Sequence, residues 1–101
     1  MDKLLEATSR AAVAYLDSLD SRPVFPTPAD IEKVRTLDGP MPAQGLDAQA
    51  VLEELDTYGS PATVASAGGR YFGFVTGGTL PAALAANWLA GTWDQNAFSD
   101  V

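Results

Sequence analysis

Hydrophobic and polar positions alternate with a helical period at the start of the chain. From Asp2 to Leu19 the apolar residues fall at Leu5, Ala12, Tyr15, Leu16 and Leu19, widened by Leu4, Ala7, Ala11 and Val13. Lys3, Ser9, Arg10 and Asp17 occupy the other side, which predicts an amphipathic helix. Arg22-Pro23-Val24-Phe25-Pro26 cannot continue it, because each proline pushes its predecessor towards extended geometry. An extended strap is expected there.

Thr27-Pro28-Ala29-Asp30 reads as a helix start, with a capping hydroxyl, a first-turn proline and an acid at the positive end of the helix dipole. That helix should reach about Leu37 and stop at Asp38-Gly39-Pro40, before a Pro/Gly loop over 39–45. Asp47 caps a third predicted helix, with Val51, Leu52 and Leu55 as its buried stripe and Glu53, Glu54 and Asp56 facing water. Tyr58-Gly59-Ser60-Pro61 should end it, with a short helix or turn over 62–66. Residues 68–79 differ in kind, with three aromatics set among five glycines. Thr79 is then expected to cap a last helix from Leu80 to about Gly91, with Pro81 in its first turn. Leu84, Trp88 and Leu89 are its large residues and Ala82, Ala83, Ala85, Ala86 and Ala90 its small ones. A helix apolar all round is normally covered on all sides, and four short helices can hardly cover it. The predicted fold class is mainly α, with about four helices and an extended glycine-aromatic loop.

Composition narrows the function. The 47% hydrophobic content over 101 residues fits one domain or part of one, with roughly two-thirds of the unfolded surface expected to be buried. Much of the apolar total is alanine, so the core should be thin. Six Lys and Arg against 13 Asp and Glu give a net charge of −7, which repels nucleic acid and anionic membrane surfaces. With no cysteine and no histidine the chain lacks thiolate ligands, disulfides and the commonest general base. No stretch approaches a membrane span or a signal peptide, so a cytoplasmic location is the expectation. Ser99-Asp100 reads as the capped start of another helix, which a truncated chain would explain.

Three constellations have bland readings that outweigh the sharp ones. Arg70-Tyr71-Phe72-Gly73-Phe74-Val75-Thr76 approaches an RNA-binding pattern, but Tyr71 replaces its first glycine and Gly77 its final aromatic. No partner strand motif lies at 35–45. Gly73, Gly77, Gly78 and Thr79 precede a helix, yet their spacing matches no phosphate-binding loop and no lysine follows. Close backbone packing accounts for them better. Acid pairs such as Glu53–Glu54 and Asp17–Asp20 lie on predicted solvent faces. Asp94-Gln95-Asn96 is either a helix-terminating turn or a pocket edge.

The string from Arg70 through Gly73-Phe74-Val75-Thr76-Gly77-Gly78-Thr79-Leu80-Pro81 to Asn87, followed by Trp93-Asp94-Gln95-Asn96-Ala97, resembles the group II pyridoxal-phosphate-dependent amino-acid decarboxylases. This family includes the aromatic-amino-acid and glutamate decarboxylases. Arg22-Pro23-Val24-Phe25-Pro26 is similar to the strap after the family's first helix, and Leu55 to Val64 to its lead-in to the aromatic loop. The resemblance covers most of the chain but only the opening part of a family member. Gly68-Gly69 stands where the family often has His-Pro.

The resemblance implies a fold-type I enzyme, a homodimer whose N-terminal helices wrap the partner subunit, acting as a carboxy-lyase on an amino-acid substrate with pyridoxal phosphate. Residues 1–67 would then be a helical dimerisation segment. Residues 68–101 would be a pocket loop and covered helix leading into a cofactor-binding large domain. Phe74, Val75 and Thr76 match pocket-lining positions, and Phe98 matches an aromatic that enters the neighbouring subunit's active site. An apolar wall there would strip water from the substrate, and a hydroxyl or backbone N–H would orient it. The family's cofactor-bearing lysine, ring-stacking histidine and pyridine-pairing aspartate belong downstream of Val101. Lys3 and Lys33 fall on predicted solvent faces, so this chain should bind no cofactor covalently and be inactive alone. The competing expectation is a free-standing helical interaction module that docks helix 80–91 on a partner.

Overall fold

The computed structural model describes residues 1–96; Phe98 and the Ser99-Asp100 helix start lie outside the described residues. The described residues form α1 (Asp2–Asp17), α2 (Pro28–Val34), α3 (Ala48–Gly59) and α4 (Pro81–Trp93), with 3-10 turns at Arg35–Leu37 and Ser60–Ala62 and no strand. The mainly α expectation holds.

Local chemistry sets most boundaries. At α2 the Asp30 N–H donates to Thr27 Oγ1 at 3.1 Å and the Thr27 N–H donates to Asp30 Oδ2 at 2.9 Å. Two otherwise orphaned donors are thereby satisfied reciprocally. The helix tightens into 3-10 geometry for its last turn and stops at Asp38, whose backbone is extended. At α3 the Ala50 N–H donates to Asp47 Oδ2 at 3.1 Å.

Two ends depart from expectation. α1 stops at Asp17, two residues early, where Ser18 Oγ donates to the Tyr15 carbonyl at 2.7 Å and Ser21 Oγ to the Ser18 carbonyl. These hydroxyls offer the chain a tight turn in place of further helix. At α4 the cap position belongs to Leu80, not Thr79, and no side chain caps it. Pro81 supplies a preset helical φ and has no N–H to satisfy, so the start needs one hydrogen bond fewer.

Packing is sparse. Accessible surface totals 8242 Å2, against about 5,500 Å2 for a compact monomer of this mass. The radius of gyration is 16.2 Å, where about 13 Å is usual for this length. The expected two-thirds burial is therefore not reached, and Ala65 is the only buried hydrophobic residue described. Leu52 is half-buried, but Val51 and Leu55 of the expected stripe are exposed, Leu55 because the space between α1 and α3 is left open as a groove. α2 and α3 pack on each other and on the 3-10 turns, and α1 meets α3, whereas α4 has no extensive contact with any other helix.

Candidate functional site

The strap and the aromatic loop are assembled around one arginine. Arg22 places its guanidinium 4.0 Å over the Tyr15 ring centre. It also donates to the Ser60 carbonyl at 3.2 Å and to Ser60 Oγ at 3.0 Å. Tyr15 and Thr63 share a hydroxyl–hydroxyl bond of 2.8 Å, and Thr63 Oγ1 donates to the Ser60 carbonyl at 2.8 Å. No carboxylate faces Arg22 among the described ion pairs; its half-buried charge is met by carbonyl and hydroxyl dipoles and a π face. This joins α1, the strap and the end of α3.

The strap in turn positions the loop. The Ala65 N–H donates to the Val24 carbonyl at 2.8 Å. Arg70 donates to the Leu19 carbonyl at 2.8 Å and also to the Arg22 carbonyl. Phe25 and Tyr71 meet with ring centres 6.1 Å apart at 59°, within the range favoured by aromatic pairs. Sequence patterns did not mark Arg22, Tyr15 and Arg70 as a unit. A lone cation inside a Pro-rich apolar strap was the signal available, but its hydrogen-bond partners, Ser60 and Thr63, lie 38 and 41 residues further on.

Beyond Tyr71 the loop is held by little. Phe72 and Phe74 are 92% and 94% exposed, and Val75 and Thr76 are also exposed. Phe74 adopts a left-handed backbone with φ 53, unusual for a bulky residue. These three predicted pocket residues lie side by side on the surface, away from the groove between α1 and α3. Gly73 lets the Tyr71 ring lie over it, since a methyl group there would overlap the Tyr71 hydroxyl and displace the ring. Gly78 lies against the Ala67 carbonyl, while Gly77 meets nothing. Residues 70–77 are turns and irregular backbone rather than a strand, so they offer no sheet on which bases could stack.

α4 is bare. Leu84 is half-buried, but Trp88, Leu89, Trp93 and Leu80 are 40%, 49%, 63% and 71% exposed. Asp94 closes the helix in the left-handed conformation, its N–H donating to the Ala90 carbonyl at 3.1 Å. Of the two readings of Asp94-Gln95-Asn96, the helix-terminating turn is the one found.

An apolar groove of about 680 Å3 runs between α1 and α3, lined by Ala7, Ala11, Leu52 and Leu55 and closed at one end by Tyr15 and Thr63. No group of His, Cys, Asp or Glu among the described residues could hold a metal ion. Lys3 and Lys33 are exposed, and the chain has no histidine. The residues present therefore do not fit a pyridoxal phosphate site. What they do present is exposed apolar surface on the loop and α4. No described helix is long and apolar enough to cross a membrane.

Compared with known proteins, the chain matches no family model, no curated protein and no solved structure.

Proposed function

We propose that the chain is the N-terminal segment of a pyridoxal-phosphate-dependent amino-acid decarboxylase, supplying dimer contacts and one wall of a substrate pocket without being catalytic alone. The observation that carries this reading is the exposure of Phe72, Phe74, Val75 and α4. These lie within the string that resembles group II decarboxylases, and they need covering protein that the described residues do not provide. The strap supports the reading as well: Arg22, Arg70 and the Phe25–Tyr71 pair hold the base of the loop while its tip stays free to face a substrate.

Phe74 and Val75 would exclude water from the substrate, Thr76 would orient it through its hydroxyl, and Phe98 would enter the partner subunit's pocket. When bound to the whole enzyme, pyridoxal phosphate would supply the electron sink for loss of CO2. The protein would be a cytoplasmic homodimer. The test is the downstream reading frame, expressed whole with the cofactor. A lysine following histidine in that frame, yellow cofactor absorbance and CO2 release from an amino acid are expected. A stop codon at this point, or a continuous frame without such a lysine, would overturn the reading.

A second reading is a free-standing helical interaction module. It is favoured by the α1–strap–α3 junction, which is tied by side-chain bonds within the chain itself. A stop codon after Val101, together with a folded isolated chain, is the outcome that selects it.

A further inference from the structure

We infer that the Asp38–Gly39 bond is a site of spontaneous backbone modification, where the chain converts to isoaspartate through a succinimide. Three features of the connection between α2 and α3 carry the inference. Gly39 has no Cβ to crowd the approach of its amide nitrogen to the neighbouring carboxyl, and a Cβ built there would meet nothing within 4 Å. Among the described residues the Asp38 carboxyl accepts no hydrogen bond and joins no ion pair, and the Gly39 N–H donates to nothing. Pro40 explains the idle carboxyl: an aspartate at a turn commonly accepts from the N–H two residues on, and proline has none. Finally, residues 38–47 are exposed throughout and residues 39–46 join no described hydrogen bond. The Asp38–Gly39 peptide can therefore turn out of its extended setting, ψ 124, and close a ring without breaking a bond.

The other described aspartates are each held back. Asp2, Asp17 and Asp56 lie inside helices, whose backbone fixes the peptide that follows. The Asp30 and Asp47 carboxyls accept from the Thr27 and Ala50 N–H groups. After Asp20 the Ser21 N–H is engaged by the Ser18 carbonyl at 3.0 Å. Asp94 is followed by glutamine, whose side chain crowds the nitrogen. At Asp38 the Gly39 nitrogen attacks Cγ of the carboxylic acid form. The new C–N bond forms as the amide proton and the carboxyl hydroxyl leave together as water. Water then reopens the ring. Addition at Cγ restores aspartate, whereas addition at the main-chain carbonyl breaks its bond to the Gly39 nitrogen and leaves the chain running through the Asp38 side chain. The product has an extra backbone methylene, a free α-carboxylate and unchanged charge. The bond from the Asp38 N–H to the Arg35 carbonyl, 2.9 Å, lies upstream of the change, so α2 stays formed while its connection to α3 lengthens. The exposed α-carboxylate is the group that an S-adenosylmethionine-dependent isoaspartyl methyltransferase esterifies, which defines the class of partner for the aged site.

The inference is independent of the decarboxylase reading, because the chemistry needs only these residues. The test ages the 101-residue chain in heavy-oxygen water at neutral pH and physiological temperature. Isoaspartate is then located by electron-based fragmentation, which cleaves its Cα–Cβ bond. Product at residue 38 is expected to exceed that at every other aspartate and to carry a heavy oxygen, preceded by a species lighter by one water. Since nothing restrains the segment, the native chain should convert at a rate within about threefold of the chain unfolded in urea. Gly39→Val and Asp38→Glu should each lose the product, the first by crowding the nitrogen and the second by requiring a larger ring. Conversion mainly at another aspartate would overturn the inference. So would undiminished product in Gly39→Val, or a native rate more than about threefold below the rate in urea, the mark of a segment held by the fold.

Discussion

Arg22 stacks on Tyr15 at 4.0 Å and, from that position, reaches both the carbonyl and the hydroxyl of Ser60. One side chain thus connects three stretches of chain that share almost no buried apolar area. In a protein whose described hydrophobic core is a single alanine, such polar ties must carry much of the tertiary order.

Replacing Arg22 tests this. Arg22→Ala removes two hydrogen bonds to Ser60, a longer one to Thr63 Oγ1 at 3.5 Å and one cation–π contact, together worth about 2 kcal/mol. The reporter is the Ala65 amide, which is buried and bonded to the Val24 carbonyl on the strap. Its hydrogen exchange should accelerate roughly thirtyfold, because 1.4 kcal/mol is a factor of ten. Arg22→Lys should recover only part of this, since an ammonium cannot reach two acceptors while stacking flat on a ring. Tyr15→Phe keeps the π face and loses only the Thr63 bond, so about a fivefold acceleration is expected. Unchanged exchange in Arg22→Ala would show that the strap is held by other means.

Gly73 and Tyr71 make a second, sharper test. A side chain at Gly73 would collide with the Tyr71 hydroxyl, so in Gly73→Ala the tyrosine must swing off Phe25. Proton NMR of the Phe25 ring should then lose the shift imposed by its neighbour. Tyr71→Ala/Gly73→Ala should show no further loss beyond Tyr71→Ala alone, because nothing remains to collide. Additive effects of the two substitutions would mean that Gly73 is needed for another reason.

What the sequence disclosed, and what it hid, divides by range. The Thr27–Asp30 box and the Asp47 cap are contacts across three residues, and the spacing of those residue types is enough to predict them. The bareness of α4 was also legible, since four short helices can hardly cover a helix that is apolar all round. The start of α4 was misread because two rules competed for adjacent positions. Thr79 had the capping hydroxyl, but Pro81 fixes the first helical residue and so assigns the cap to Leu80. The Arg22 junction was not legible, for its acceptors are a backbone carbonyl and hydroxyls brought near only by folding. Nor could a pattern of residues show that Val51 and Leu55 would stay open to solvent, because their period is the same whether or not another element covers them.

Phe74 separates folding from function. Its left-handed backbone is unfavourable for a residue with a side chain, by about 1–2 kcal/mol, and glycine carries no such penalty. Its side chain is 94% exposed and contributes almost nothing to the isolated chain. Phe74→Gly should therefore leave stability unchanged or raise it by about 1 kcal/mol, as read from urea denaturation. If the chain is the decarboxylase segment proposed above, the same substitution should raise the substrate KM of that enzyme by removing part of the pocket wall. A clear loss of stability in the isolated chain would mean that Phe74 is held by contacts within these residues.

Acid should weaken α2. Hydrogen bonding from the Thr27 backbone, then from its side chain, holds the Asp30 carboxyl below the ordinary aspartate value, with a smaller contribution from Lys33. A group whose folded pKa is depressed stabilises the fold above its unfolded pKa, and that stabilisation is lost as pH falls through the lower, folded value. The backbone shifts of residues 28–34 should accordingly stay constant from neutral pH down to about 4, then move towards coil below it. Asp30→Asn should remove most of this pH dependence. Loss of α2 structure near neutral pH would refute the assignment to Asp30.

Asp94 offers a gain rather than a loss. It ends α4 in the left-handed conformation, φ 50 and ψ 49, with its N–H bonded to the Ala90 carbonyl. Two features of aspartate are unfavourable there. Its Cβ crowds the backbone at positive φ, which glycine avoids. Its carboxylate also sits at the negative end of the helix dipole. Asp94→Asn should relieve the charge alone and stabilise the last turn by about 0.5 kcal/mol, whereas Asp94→Gly relieves both and should contribute about 1 kcal/mol. The two variants are ranked by amide exchange of residues 90–93, in which glycine should protect most and the wild type least. Because α4 is a bare helix, its fraying should respond to the cap with little damping from tertiary contacts. A helix shortened by glycine at this position would mean that the left-handed cap is not what terminates α4.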